Sequence, residues 1–346
     1  MTITSRRVFT ACAVAMAATV ACLGVQAADF NFRFHQQLPP QANVPKLAIL
    51  PWIQKVEKES GGRIKIQHFP AMQLGGKPQE SFDQVKNGFV DFTWTVLGYT
   101  PGRFPRTEVF ELPFILTTSA EKGSRAVMEF VQKNAMDEFK DVKLVAVHVH
   151  GAGMFHTKAP VTRLEDLKGL KVRGASRVIN EMLENLGAVP VGMPVPAVGE
   201  ALSKGVISGA MVPYEIVPTL KLHQLVKNHT SFADGSALYT ATFGVVMNKA
   251  SYDKLPADLK KVIDNNSGIE AAALFGRAMD QGDVVGKGLI QKAGNNLATL
   301  DAASAGPFKR QGNAVREKWV AEATKNGLDG SKLLSEAQAL MAKHSN

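Results

Sequence analysis

The segment Leu164 to Arg173, reading L-E-D-L-K-G-L-K-V-R, puts an arginine where a folded site could use it. Thr162, three residues before Glu165, forms a capping-box pattern, so a short helix is predicted to start here and to stop at Gly169. Leu170 and Val172 then begin a brief strand that ends at Arg173 and Gly174, which places a guanidinium at the carboxyl end of a strand. Ligands of open α/β sheets bind there. A planar fork of donors suits a carboxylate, which it can hold in a bidentate, charge-assisted pair. The competing reading is a solvated arginine, or one paired with a nearby Asp or Glu.

Other chemistry-bearing residues are less coherent. His148-Val149-His150 sets two imidazoles on one strand face with His156 close in sequence, a pattern open to metal binding or to histidines that line a cleft or satisfy core hydrogen bonds. No HExxH and no well-spaced acidic partner supports the metal. For an exported enzyme acting on a carboxylate there is no G-x-S-x-G elbow. Gly151-Ala152-Gly153 is too short for a dinucleotide loop, and Gly75-Gly76-Lys77 lacks the upstream glycine of a phosphate loop. Nothing positive points to catalysis, and no cofactor is expected.

The elements that must carry these residues alternate. Strands are predicted at Phe30 to His35, Arg63 to His68, Val90 to Thr95 and Lys143 to His150, with helices at Lys46 to Glu59, Lys77 to Asn87 and Ser119 to Phe139. The loop from Gly98 to Pro113 is too long for a plain connector. After the Arg173 strand the pattern repeats: helix Ser176 to Leu186, a strand near Val189, helix Ala197 to Lys204, and strands Val206 to Val212 and Tyr239 to Met247. Residues from Pro256 to about Gly294, and the tail to His344, read as mainly helical, although Gly268, Gly276, Gly282 and Gly286 weaken the pattern. The order implies an α/β protein of two lobes.

Arg6 and Arg7 precede an uncharged run ending in Val25-Gln26-Ala27, so residues 1–27 are expected to be a signal peptide, with either a general or a twin-arginine route open. Both cysteines, Cys12 and Cys22, fall inside it, so nucleophilic cysteine chemistry and cysteine-held metals are excluded from the mature chain, and a lipidated Cys22 is disfavoured by the missing leucine upstream. Removing Arg6 and Arg7 takes the formal charge from +9 to +7. The remaining Lys and Arg are dispersed, which argues against a nucleic-acid partner and fits general attraction of anions.

The run Asp166 to Arg173 resembles the signature of solute receptors of tripartite ATP-independent periplasmic (TRAP) transporters, the DctP family. Gly61-Gly62-Arg63-Ile64, Gln73-Leu74-Gly75, Gly88 with Val90-Asp91-Phe92, Leu112-Pro113-Phe114, and Glu200-Ala201-Leu202 leading to Gly205-Val206-Ile207-Ser208-Gly209 follow in that family's order. The resemblance implies a periplasmic-binding-protein fold of two α/β lobes spanned by a long helix. Lobe I is expected from 28–150 plus about 240–280, and lobe II from 151–239 plus about 281–346. It further implies a periplasmic, monomeric receptor that binds an organic acid and hands it to TRAP permease subunits in the membrane.

By the same resemblance Arg173 matches the motif arginine that clamps a carboxylate, and Ser176 matches a frequent polar contact; its helix-start position could equally make it a plain N-cap. Sialic-acid receptors of the family carry a second arginine near the position of Gly153 and an asparagine at that of Val212, and a similar polar position is Val96 here. Without those groups, a sugar acid or second carboxylate would be left unpaired. Trp94, Phe114, Met193, Tyr214 and Phe243 could instead form an apolar wall, with His150 and Gln36 as possible donors, while Glu215 would repel the ligand unless protonated or bridged. The expected ligand is a monocarboxylate with an apolar or aromatic body, such as a 2-hydroxy or 2-oxo acid.

Overall fold

Eleven strands fall into two sheets among residues 28–345, the part of the chain that the computed structural model describes. The expected signal peptide lies outside those residues. In chain order the strands are β1 (Phe30–Gln36), β2 (Ile64–Phe69), β3 (Phe92–Val96), β4 (Val142–Val149), β5 (Met154–Thr157), β6 (Lys171–Gly174), β7 (Val189–Gly192), β8 (Gly209–Val212), β9 (Asn228–Phe232), β10 (Thr242–Asn248) and β11 (Asn296–Leu300). The first sheet runs β2-β1-β3-β10-β4 and the second β11-β9-β5-β8-β6-β7. Each holds one antiparallel strand from a crossing: β10 enters the first sheet between β3 and β4, and β5 enters the second between β8 and β9. The two crossing segments meet in an antiparallel bridge, Gly153 to Tyr239.

Physical reasons for the elements are local. Helix Ala120–Asn134 starts at Ser119, whose hydroxyl accepts from the Lys122 amide, and Asp280 accepts from the amides of Ala120 and Glu121 at 2.7 and 2.9 Å. Asp280 belongs to helix Ile269–Lys292, about 36 Å long at 1.5 Å per residue, which packs on helix Ala120–Asn134 and β4 on one side and on the turn Tyr214–Ile216 on the other. The glycines that weakened this helix in the sequence are its contact points. A Cβ on Gly276 would lie 2.5 Å from the Ala120 carbonyl oxygen, and one on Gly286 would lie 1.9 Å from that of Tyr214. Small residues therefore let one helix touch both lobes.

Three details differ from expectation. The turn before Arg173 is a 3-10 turn, Leu164–Leu167, capped by Asp166 in place of Glu165: its Oδ2 accepts from the Thr162 amide and hydroxyl and the Arg163 amide at 2.8, 3.0 and 3.1 Å. Strands β5, β9 and β11 were not anticipated, because β5 and β9 bury His156 and His229 against each other, with ring nitrogens 2.7 Å apart, and so break the apolar alternation. Finally, helix Ala302–Lys325 packs on helix Arg177–Asn185, but helix Gly330–Ser345 returns to the first lobe, against Ala120–Asn134. Glu129 anchors it there through Lys343 and His344. The sequence had grouped this tail with the second lobe.

Gly286→Ala is expected to destabilise the protein by about 1–3 kcal/mol through overpacking. Gly288→Ala, two residues on with nothing within 4 Å of the added methyl, should be neutral or gain up to about 1 kcal/mol of helix propensity. Urea unfolding midpoints of the two variants check this contrast.

Candidate functional site

Between the sheets lies a cavity enclosing about 390 Å³ of non-atom space with its open mouth included, and its walls come from both lobes. The first lobe contributes Gln37, Trp94, Val96, Tyr99, His150 and Phe243, and the second Arg173, Val195, Val212 and Glu215, with Tyr239 from a crossing segment.

Among the described residues Arg173 is the only cation on the wall, and it is 2 % exposed. Strand β6 pairs with β7 and β8, and carries the side chain to the sheet's carboxyl end. Its Nε donates to the Met193 carbonyl at 2.9 Å and its Nη1 to the Met211 carbonyl at 3.3 Å. Among the described residues, Nη2 has no acceptor in hydrogen-bonding geometry, and no carboxylate lies within 4 Å of the guanidinium. A buried charge without a counter-ion costs several kcal/mol, so this geometry calls for an anion. The backbone carbonyls hold the fork in place; they do not neutralise it.

Opposite the cation is an aromatic wall. Trp94 and Phe243 stack at 5.0 Å between ring centres, and Phe243 stacks on His148 at 4.9 Å. The Trp94 indole donates to His148 Nε2 at 2.8 Å, and burial keeps His148 neutral, with its pKa lowered to about 3. The Trp94 N–H is thereby spent inside the wall, which presents ring surface to the cavity. Val96 and Val212 line it too, as their apolar character suggested.

The three candidate metal histidines do not converge. His148 is bonded to Trp94. His150 Nδ1 donates to the Gly151 carbonyl at 2.6 Å and its Nε2 accepts from the Ala241 amide at 3.1 Å. His156 lies in the second sheet, against His229. Burial lowers the pKa of His150 to about 4 and of His156 to about 3. With both ring nitrogens engaged, His150 meets the cavity as a ring and not as the donor expected of it.

Of the other expected contacts, Gln36, Ser176 and Tyr214 do not line the cavity, nor do Phe114 and Met193. Gln36 folds onto Leu38, accepting from its amide and donating to its carbonyl at 2.8 Å, and the next residue, Gln37, faces inward instead. Tyr214 packs edge-on to His156, leaving the inward direction to Glu215. In both places the cavity takes the next residue along, because Gln37 lies just past the end of β1 and Glu215 in a 3-10 turn, where strand alternation no longer sets the face. Ser176 precedes helix Arg177–Asn185 without capping it, and its buried hydroxyl lies with Glu111 against Gly98, where an added Cβ would be 2.5 Å from Ser176 Cβ and 2.9 Å from Glu111 Oε2. Phe114 packs on Phe232, and Met193 supplies only the carbonyl that Arg173 uses.

Two tyrosines were missed. The Tyr239 ring covers Gly153 so closely that an added Cβ would be 2.1 Å from it, and its hydroxyl donates to Met211 O at 2.7 Å, the same carbonyl that Arg173 engages. Space for a side chain at 153 is therefore taken by a phenol. The sequence signal was a tyrosine placed 86 residues from its glycine partner, which no local pattern connects. Tyr99, from the long loop, accepts from the Val195 amide at 2.8 Å and so clasps the lobes together. Glu108 from that loop pairs with Arg177 at 2.7 Å and accepts from the Trp319 indole at 3.0 Å, also across the lobes.

The sequence profile of the bacterial extracellular solute-binding proteins, family 7 (DctP), matches residues 34–322. A TRAP solute-binding protein of Rhodoferax ferrireducens, solved with copurified benzoate, is 50 % identical, covers 91 % of this chain and 98 % of its own, and superposes with a TM-score of 0.89. A marine-metagenome TRAP receptor specific for aromatic acids, solved with 3-hydroxybenzoate, is 46 % identical over 92 % of this chain and 100 % of its own, with a TM-score of 0.90. A solute-binding protein of Verminephrobacter eiseniae is 30 % identical over 74 % of this chain and 75 % of its own.

A buried acid of the same long loop, Glu111, sets a pH dependence. Glu111 Oε1 accepts from the Thr242 amide and hydroxyl at 3.0 and 2.8 Å, yet burial raises its pKa from 4.5 to about 7. The folded state then binds a proton that the unfolded state has lost, so this group's contribution to stability falls as pH rises from about 4.5 through about 7. Glu111→Gln is expected to make stability less sensitive to pH over that window, read as a shallower fall in urea midpoint between pH 5 and pH 8. An unchanged slope would contradict a neutral Glu111.

Proposed function

The chain belongs to family 7 of the bacterial extracellular solute-binding proteins, the receptors of TRAP transporters, and on that premise we propose that its cleft takes an aromatic monocarboxylate. The buried Arg173 guanidinium, with no anion beside it, is the observation that carries this reading. The ligand carboxylate pairs with Nη1 and Nη2, and its ring lies on the wall formed by Trp94 and Phe243. Benzoate in the Rhodoferax receptor and 3-hydroxybenzoate in the metagenomic one support the choice of body. Trp94, Phe243 and the ring of His150 act as surface, and Tyr99 is a candidate donor.

Binding proceeds by closure of the two lobes as proposed above, 28–150 with about 240–280 against 151–239 with about 281 onward, the last helix riding on the first lobe. The open form leaves Arg173 hydrated; closure removes water, and only an anion offsets the cost, so ligand favours the closed state by its differential affinity. The closed monomer then docks on the permease and releases the acid unchanged. A micromolar Kd corresponds to about −8 kcal/mol, within reach of one desolvated charge pair and one buried ring face.

Isothermal titration with benzoate tests the reading. Removing one partner of a buried charge pair costs about 2–5 kcal/mol, so Arg173→Ala should weaken benzoate at least about thirtyfold while the ligand-free variant still melts cooperatively. Unchanged benzoate affinity in Arg173→Ala contradicts the assignment.

A further inference from the structure

Glu215 stands on the cavity wall as a second polar feature that carboxylate recognition does not use. It is 5 % exposed, and its Oε2 is buried with no hydrogen-bond partner. No lysine, arginine or histidine lies within 4 Å of it among the described residues, and Arg173 is therefore not its counter-ion. Its own amide donates to Asp283 Oδ1 at 2.7 Å, and Asn43, whose amide nitrogen also donates to the Ala278 carbonyl, is the one neighbour that pulls its pKa down. Burial first, and then the Asp283 carboxylate, raise the Glu215 pKa to about 8. A neutral carboxyl carries one donor and spare acceptors. On the other lobe, Gln37 also lines the cavity and also leaves its Oε1 buried without a partner.

Two unsatisfied polar side chains in a mostly apolar cavity are an incomplete hydrogen-bond set. We infer that Glu215, together with Gln37, forms a second polar subsite that recognises a hydroxyl group on the body of the bound aromatic acid. This rests on the reading of the cleft as an aromatic monocarboxylate site and deepens it. A hydroxyl is the matching group because it donates and accepts at once. A second carboxylate is disfavoured, since this wall offers no cation besides Arg173 to pair with it. An unsubstituted ring leaves both protein groups unpaired, and sites built for a hydroxyl discriminate against analogues that lack it.

The test is a cycle of ligand and protein changes read by isothermal titration at pH 6.5, using ligand-free protein with benzoate, 3-hydroxybenzoate and 3-methylbenzoate. Wild type is expected to bind 3-hydroxybenzoate about tenfold tighter than benzoate, the scale of one hydrogen bond. The methyl analogue, of similar size but without a donor, should show no such gain. In Glu215→Leu the ratio of hydroxylated to plain acid should collapse to about one, whereas Glu215→Gln, which keeps a donor and an acceptor, should retain a preference. A ratio that survives in Glu215→Leu overturns the inference, as does a wild type that binds 3-methylbenzoate as tightly as 3-hydroxybenzoate. The ligand comparison in wild type decides the matter even if the leucine variant fails to fold. Wild type that binds none of the three acids refutes the aromatic-acid reading itself, a separate outcome.

Discussion

A positive charge closed inside protein without a negative one is the constraint on which the rest of the structure depends. Arg173 is nearly inaccessible, is held by two backbone carbonyls, and faces a cavity with no carboxylate in contact. In water such a group is solvated at no cost; inside a closed cleft it must find a counter-ion or the cleft must open. Specificity and conformational response thus share one cause. On the proposed reading, an acid that supplies the missing charge holds the lobes shut, and a neutral solute of the same shape does not.

The surroundings are arranged so that this charge stays single. His148 and His150 are buried and neutral, with pKa values lowered to about 3 and 4, so neither adds a cation that would draw in a second carboxylate. Tyr239 covers Gly153 and shares the Met211 carbonyl with Arg173, which fills the space where another basic side chain could enter. The buried acids Glu111 and Glu215 are pushed by burial to about 7 and about 8, so neither is a strong competitor for the guanidinium at mildly acidic pH. Clasping contacts from the loop after β3, Tyr99 to Val195 and Glu108 to Arg177, then tie closure to the same cavity.

Much of this was legible in the residues, and the gaps have physical causes. The strand ending at Arg173 could be read because apolar alternation and a positive-φ glycine, Gly169, bracket it. The apolar wall followed from Trp94 and Phe243 in strongly hydrophobic strands. Side-chain direction at strand ends was not legible: Gln37 and Glu215 face the cavity where Gln36 and Tyr214 had been expected, since the strand alternation that fixes faces stops there. The glycines of helix Ile269–Lys292 misled for a related reason. In isolation they weaken a helix, and only the packed structure reveals that Gly276 and Gly286 each touch a backbone carbonyl of a different lobe. Strands β5 and β9 hid because their buried histidines satisfy each other across the sheet, a pairing that sequence spacing does not disclose.

The most direct measurement is the identity of what the protein carries. Mass spectrometry of small molecules released by denaturing the purified receptor, after growth on mixed aromatic and aliphatic acids, should yield an aromatic monocarboxylate, returned unmodified. Recovery of a dicarboxylate, a sugar acid or an uncharged solute as the bound species would contradict a site built around one unpaired arginine and an aromatic wall.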